Sequence, residues 1–315
     1  MSYEQLAQHA LQLEQSAIIM DLRQRGFGYD KGRLFHAGLS DAEVKAVVDL
    51  TAARFAGVAE LFTPFLAMPE PAAFTSLEKV LAGVATTLNS GHGALPYNSA
   101  SVLANLKLGA IDDVKALVKD WYGGAAMNFK DNFLSQWYPI TSNQFALVMA
   151  LKGAIEAEAA LWTEARNNVD DLAHKAQASM DAMLDCNPKD VAFLLTVAGS
   201  IFAVGAVVAS GGLEIGLTIV GESFASAGAF PMADAERVAF SGKNAAAIVA
   251  GVQGALTKLA AQIIEAENVI RDAMTTAIEV LSTNQDRIVA PRPQLADQTR
   301  ATIRDVTVGL GLAEG

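Results

Sequence analysis

Apolar positions along this chain recur mostly at helical spacing, and two stretches are the most regular. Between 142 and 184, Val148, Ile155, Trp162, Val169, Ala176 and Met183 return every seven residues, with Leu151, Ala165 and Leu172 in the neighbouring row. Beyond residue 232 a second row reads Val249, Val252, Leu256, Leu259, Ile263, Ala266, Ile270, Ala273, Ala277 and Val280, alternating three and four apart. These rows predict two long helices, over about 141–185 and 232–285. Many row positions are alanine, which lets helices approach closely.

Between the two rows lies a different pattern. From Val191 to Leu213 the sequence VAFLLTVAGSIFAVGAVVASGGL carries no charge, and after Glu214 an apolar run continues to Val220. This passes the threshold of about 18 residues for spanning a bilayer. Gly211-Gly212 would turn one apolar stretch into two helices packed back to back. The expected hairpin uses Val191, Phe193, Leu195, Ile201, Phe202, Gly205, Val208, Gly211, Gly212, Ile215 and Ile219. Lys189 before it and Arg237 after it would stay on the side of entry, as suits a re-entering pair.

The rest of the chain predicts shorter helices. Residues 3–24 form one, and the glycine-punctuated stretch 25–39 is a connection. Ser40 or Asp41, with Glu43 in the first turn, opens a second helix running to about Leu66, where Pro64, Pro69 and Pro71 end it. Further helices cover about 72–89 and 98–120, separated by a loop at 89–96. Helix resumes near Ala125 and is broken or kinked at Pro139. The fold class is therefore all-α: an elongated antiparallel bundle with two long helices bracketing an apolar helical hairpin. Its organisation is N-terminal helices over 1–72, a helical hairpin with a long second helix over 73–187, the apolar hairpin over 188–230, the long C-terminal helix over 231–289 and a tail over 290–315.

Composition narrows the function classes. Hydrophobic residues make up 52 % of the chain and charged residues 18 %, so much of it is inside something. The net charge of −11 opposes binding to nucleic acid or adhesion to anionic lipid through a basic patch. With one cysteine, Cys186, there is no intrachain disulfide. The N-terminal stretch carries Glu4 and lacks the basic start and apolar core of a secretory signal peptide.

Catalytic signatures are missing from the pattern. His9, His36, His92 and His174 are scattered, with no histidine or cysteine pair three to five apart, so each reads as a surface or packing residue and no metal site is expected. Gly26-Phe-Gly-Tyr-Asp-Lys-Gly32 misses dinucleotide spacing, and Ser241-Gly242-Lys243-Asn244 lacks the features of a phosphate loop. Gly221-Glu-Ser223-Phe-Ala225 lacks the final glycine of a nucleophile elbow. Asp170-Asp171, Glu156 and Glu158 fall on an expected solvated face. The chain reads as non-enzymatic, without catalytic residues or cofactor.

One local motif stands out, Trp121-Tyr122-Gly123 between two helical segments. Glycine there supplies positive φ to close the first helix, and the tryptophan would cover apolar side chains from both. Helix, Trp-x-Gly, helix, alanine-rich and acidic, resembles the WXG100 family of helical-hairpin proteins exported by type VII secretion systems of actinobacteria and related Gram-positive bacteria. The block from Ala159 through Trp162, Arg166 and Val169 to Ala173 looks like larger secretion-associated relatives. The resemblance covers about a third of the chain, between Phe74 and Leu184. It implies a secreted or cell-envelope protein, the alternative being a cytoplasmic one, that contacts a helical partner or itself. The family's Tyr-x-x-x-Asp/Glu export tag is absent: the residues four after each tyrosine are Ala7, Arg33, Ser101, Ala126 and Ser142. Export would then depend on a tagged partner. A second resemblance, of architecture alone, is to α-helical pore-forming toxins, whose soluble forms conceal an apolar hairpin against the bundle until it meets a lipid membrane.

Overall fold

The computed structural model describes residues 3–30, 33–91, 102–185, 191–196, 218–219, 222–223, 237–242 and 244–290. Helix dominates these residues, and the class is all-α. The chain divides into two compact units, one of 1–73, 159–204 and 232–268, the other of 74–158, 205–231 and 269–315.

In the first unit, helix α1 (Leu6–Gln24) buries Leu6, Ala10, Leu13, Ala17 and Met20, a single stripe at spacings of three and four. A short ladder, β1 (Gly28–Asp30) with β2 (Arg33–Phe35), occupies part of the expected connection. Helix α2 (Asp41–Phe55) opens on a capping box: the Ser40 amide donates to Glu43 Oε2 at 2.8 Å, and the Glu43 amide donates to Ser40 Oγ at 3.4 Å. The Ser40 hydroxyl's bond to the carboxylate, and then the Ser40 amide's, hold the Glu43 pKa below its usual value. The helix stops well short of Leu66. Gly57 takes φ +94°, and a 3-10 turn over Ala59–Phe65 follows, burying Phe62 and Phe65.

Two polar ties fasten α1 to its surroundings. Asp21 meets Arg25 at 2.7 Å and Arg54 of α2 at 3.3 Å. Ahead of α1, the Tyr3 hydroxyl bonds the Phe65 carbonyl and accepts from the Met68 amide at 3.1 Å. The Arg166 guanidinium lies 4.3 Å from the Tyr3 ring and donates to the Met68 carbonyl at 3.1 Å.

In the second unit, α3 (Thr75–Leu88) leads to α4 (Ala110–Leu117) past Asn89 and Asn105. The Asn105 amide donates to the Asn89 carbonyl at 2.7 Å, Asn89 Nδ2 donates to the Val102 carbonyl at 2.7 Å and Asn105 Nδ2 to the Thr87 carbonyl at 2.8 Å. Helix α4 is far shorter than the expected 98–120. Helix α5 (Gly124–Phe129) runs into one π turn, Lys130–Leu134, and then α6 (Trp137–Asp185) begins. Pro139 starts this helix rather than breaking it. In the first turn its missing N–H would have had no intrahelical acceptor.

Helix α6 and α7 (Ala245–Thr283) are the two long helices. In the second unit they run antiparallel: Ala150 packs on Ala277 with Leu147 and Val280 alongside. A last turn, α8 (Gln285–Ile288), offers the Arg287 and Ile288 carbonyls to Asn143 Nδ2 and Gln144 Nε2 at 3.0 and 2.7 Å.

The row expected for α7 is the buried row: Val252, Leu256, Leu259, Ile263, Ala266, Ile270 and Ala277 are all in the core. The helix begins at Ala245, later than expected, because Arg237–Gly242 is a strand. In α6 the heptad drifts. Its buried stripe is Ala150, Leu161 and Leu172 with Ala154, Ala165 and Ala176, each eleven apart. Eleven residues in three turns track an ordinary α-helix at about 3.67 per turn, so a strict seven-residue row rotates off the buried face. Ile155 and Trp162 accordingly lie on its flanks, half-buried, and Leu151 is exposed.

Candidate functional site

Three places carry the chemistry anticipated from the sequence or stand in its way. The first is the base of the apolar segment. Helix α6 ends at Asp185, and after it Val191–Thr196 is a strand, β3, rather than the first turns of a helix. It pairs antiparallel with β6 (Arg237–Gly242), in register from Val191↔Gly242 to Thr196↔Arg237. The ladder sets apolar residue opposite apolar residue at Phe193↔Phe240, Leu194↔Ala239 and Leu195↔Val238.

This corrects the expected helical hairpin at Val191, Phe193 and Leu195. It does so again at Ile219, where β4 (Thr218–Ile219) pairs with β5 (Glu222–Ser223). An uninterrupted apolar run has no polar face, so periodicity cannot separate helix from buried strand. Val, Phe and Thr favour the pleated state, and pairing satisfies the same backbone groups that a helix would. The reversal seen lies between Ile219 and Glu222. Ile201, Phe202, Gly205, Val208, Gly211, Gly212 and Ile215 lie outside the described residues, as do Cys186, His92 and the tail from 291.

The second place is the Trp121 turn. Gly123 has the expected positive φ, +103°, but it caps the start of α5 rather than closing α4, which ends at Leu117 with Val118 as its C-cap. The tryptophan does not provide the expected cover. Trp121 is 56 % exposed and Tyr122 is 88 % exposed. The turn is held instead by Lys130, whose Nζ donates to the Lys119 and Trp121 carbonyls at 2.8 and 2.7 Å, closing the end of α4. The aromatic cover over Ile111, Val118 and Leu134 comes from Phe129, Phe133 and Trp137. The rings of Phe129 and Phe133 stack at 5.4 Å, and Phe133 meets Trp137 at 5.8 Å. Their four-residue spacing was available in the sequence as the sign of one helical face.

The third place was not anticipated. His9 of α1 is buried, and its Nδ1 lies 2.9 Å from Asp170 Oδ1 of α6. The other carboxylate oxygen, Oδ2, stands 3.5 Å from His174 Nε2, one helical turn on. The two imidazoles are 4.1 Å apart, centre to centre. Asp170 is therefore in the core, not on a solvated face, and the two histidines share one carboxylate. The signal was present as an Asp-x-x-x-His step on α6 and a histidine three residues after Leu6 on the buried stripe of α1. A search for histidine or cysteine pairs passes over both.

Among the described residues one helix, α7, is long and apolar enough to cross a membrane. Its apolar row forms core in this fold. No protein-family model, no curated protein and no solved structure matches the chain.

Proposed function

We propose that this chain is a non-enzymatic, membrane-active helical protein of the pore-forming or permeabilising kind, which holds an apolar segment between two long helices and delivers it to a lipid bilayer. The observation that supports the reading is the β3–β6 ladder. It places Thr196 opposite Arg237, so the two ends of the stretch between them lie side by side. An apolar stretch tethered at both ends in this way enters a bilayer as a re-entrant unit, and the outer edges of its two strands must be paired, by further copies or by refolding to helix, before they meet hydrocarbon. Two apolar limbs released into water would aggregate, so release is coupled to lipid contact or to self-association.

The test is release of a dye encapsulated in liposomes. Wild-type protein should empty the vesicles. Gly205→Asp and Val208→Lys should abolish release with the helical circular-dichroism signal retained, because a charge at mid-bilayer costs about 3 kcal/mol or more. Intact vesicles across zwitterionic and anionic lipids, at neutral and acidic pH, would overturn the reading.

That result would favour a second reading, a WXG100-like partner or substrate of type VII secretion that acts through helix–helix contacts at the cell envelope. Gly123, at positive φ directly after Trp121-Tyr122 and between two helices, is the observation in its favour. Co-elution with a small WXG protein, lost on Gly123→Val, would support it.

A further inference from the structure

We propose that His9, Asp170 and His174 form a binding site for a divalent transition-metal ion of the zinc type, fastening α1 to α6. The three side chains offer two imidazole nitrogens and a carboxylate oxygen, all within 4.8 Å of one another. Two nitrogens and one oxygen are a donor set that zinc takes in open sites, with a water completing the tetrahedron. Ligands at about 2.0–2.1 Å from such an ion stand about 3.3 Å apart. His9 Nδ1 lies 2.9 Å from Asp170 Oδ1 and His174 Nε2 lies 3.5 Å from Asp170 Oδ2, both close to that figure but on different oxygens of the one carboxylate. Small side-chain rotations would suffice for coordination.

A second observation points the same way. His174 Nε2 is buried and has no hydrogen-bond partner, although Asp170 Oδ2 is near enough to attract it. A buried ring nitrogen without a partner carries a desolvation penalty that a hydrogen bond or a metal bond would remove. The neighbouring carboxylate does not join the cluster, since Asp171 pairs with Lys175 at 2.6 Å. The bland alternative is a polar tie in which His9 alone donates to Asp170 and His174 stacks beside it. That tie satisfies His9 and leaves His174 Nε2 as it stands, whereas an ion accounts for all three residues.

The site is independent of the membrane reading: a chain that binds zinc and leaves vesicles intact would keep this inference and lose the other. The experiment is titration of Zn2+ into the chelator-stripped full chain by calorimetry, with melting temperature followed in parallel. One ion per chain should bind and raise the melting temperature. His174→Gln should weaken binding roughly tenfold or more and remove the zinc-dependent stabilisation. That variant keeps the His9–Asp170 bond, so its folding is not at stake in the same way as for His9 or Asp170. Co2+ added to the wild-type chain gives a second readout, the visible absorption of a tetrahedral nitrogen–oxygen site. The same absorption in Cys186→Ser would support the assignment. Unchanged affinity in His174→Gln, loss of binding in Cys186→Ser, or no saturable binding to the wild-type chain would each overturn it.

Discussion

Helices α6 and α7 are both long and alanine-rich, yet they contribute differently. Every buried residue described on α7 is apolar. Helix α6 buries Thr141, Asn143, Asp170 and Ser179 beside its apolar stripe, and each makes a bond: Thr141 to the Trp137 carbonyl, Asn143 through Nδ2 to the Arg287 carbonyl with its Oδ1 left unpartnered, Asp170 to His9 and Ser179 to the Lys175 carbonyl. Helix α6 thus specifies which segments dock on it and where, while α7 supplies area. Apolar area is tolerant of register, but a satisfied buried polar group is not.

Substitutions can break this contrast or sharpen it. The largest effect should come from apolar truncation, equal on the two helices. Leu172→Ala on α6 and Leu259→Ala on α7, both fully buried, should each lose about 2–5 kcal/mol in denaturant unfolding. A much smaller loss on α7 would mean that its row is not core.

Polar truncation should then separate the helices. Asn143→Ala strands the Arg287 carbonyl and should lose about 1–3 kcal/mol. On α7, Gln262 Oε1 is buried without a partner, so Gln262→Met should be neutral or stabilise by about 1 kcal/mol or less. A destabilised Gln262→Met would give α7 the specifying role denied to it here.

The smallest effect concerns Tyr138, in the first turn of α6. Burial, then its 2.6 Å bond to Asp112 and that residue's charge, push its hydroxyl up to about 12. The folded state therefore holds this proton more tightly than the unfolded state, whose tyrosine titrates near 10. The resulting stability is fully present below pH ~10 and is lost as pH rises towards 12. In an ultraviolet titration of the five tyrosines, one should ionise late, and Tyr138→Phe should remove that step. Five tyrosines ionising together in the wild-type chain would refute the assignment.

The contrast also explains how much of the molecule the sequence revealed. The α7 row was largely legible, with Val249, Ala273 and Val280 alone of its positions only half-buried, because a purely apolar stripe facing one side leaves no competing signal. On α6 the helix was legible but its face was not. With packing on several sides, a seven-residue and an eleven-residue reading share Ala165, Leu172 and Ala176 and part company at Ile155 and Leu161. The capping box at Ser40 and the positive φ of Gly123 were readable because local geometry alone dictates them. Trp121 was misread because a large aromatic beside a turn says nothing about which side its partners occupy. The β3 and β6 strands were illegible for want of a polar face. The His9–Asp170–His174 cluster joins residues 161 and 165 positions apart, with an i,i+4 step that involves a carboxylate, so only tertiary structure assembles it.

The β3–β6 ladder has a consequence in polymer terms. By fixing Thr196 beside Arg237 it makes the intervening chain a closed ring anchored at one point. The chain entropy surrendered in closing a ring grows only with the logarithm of its contour, so doubling the stretch would add about 0.6 kcal/mol. Helices α6 and α7 would lead into the same ladder, at Val191 and Gly242, whatever the ring's length. The reach of the apolar segment can therefore be lengthened or shortened, by evolution or by design, with little demand on the helices that carry it.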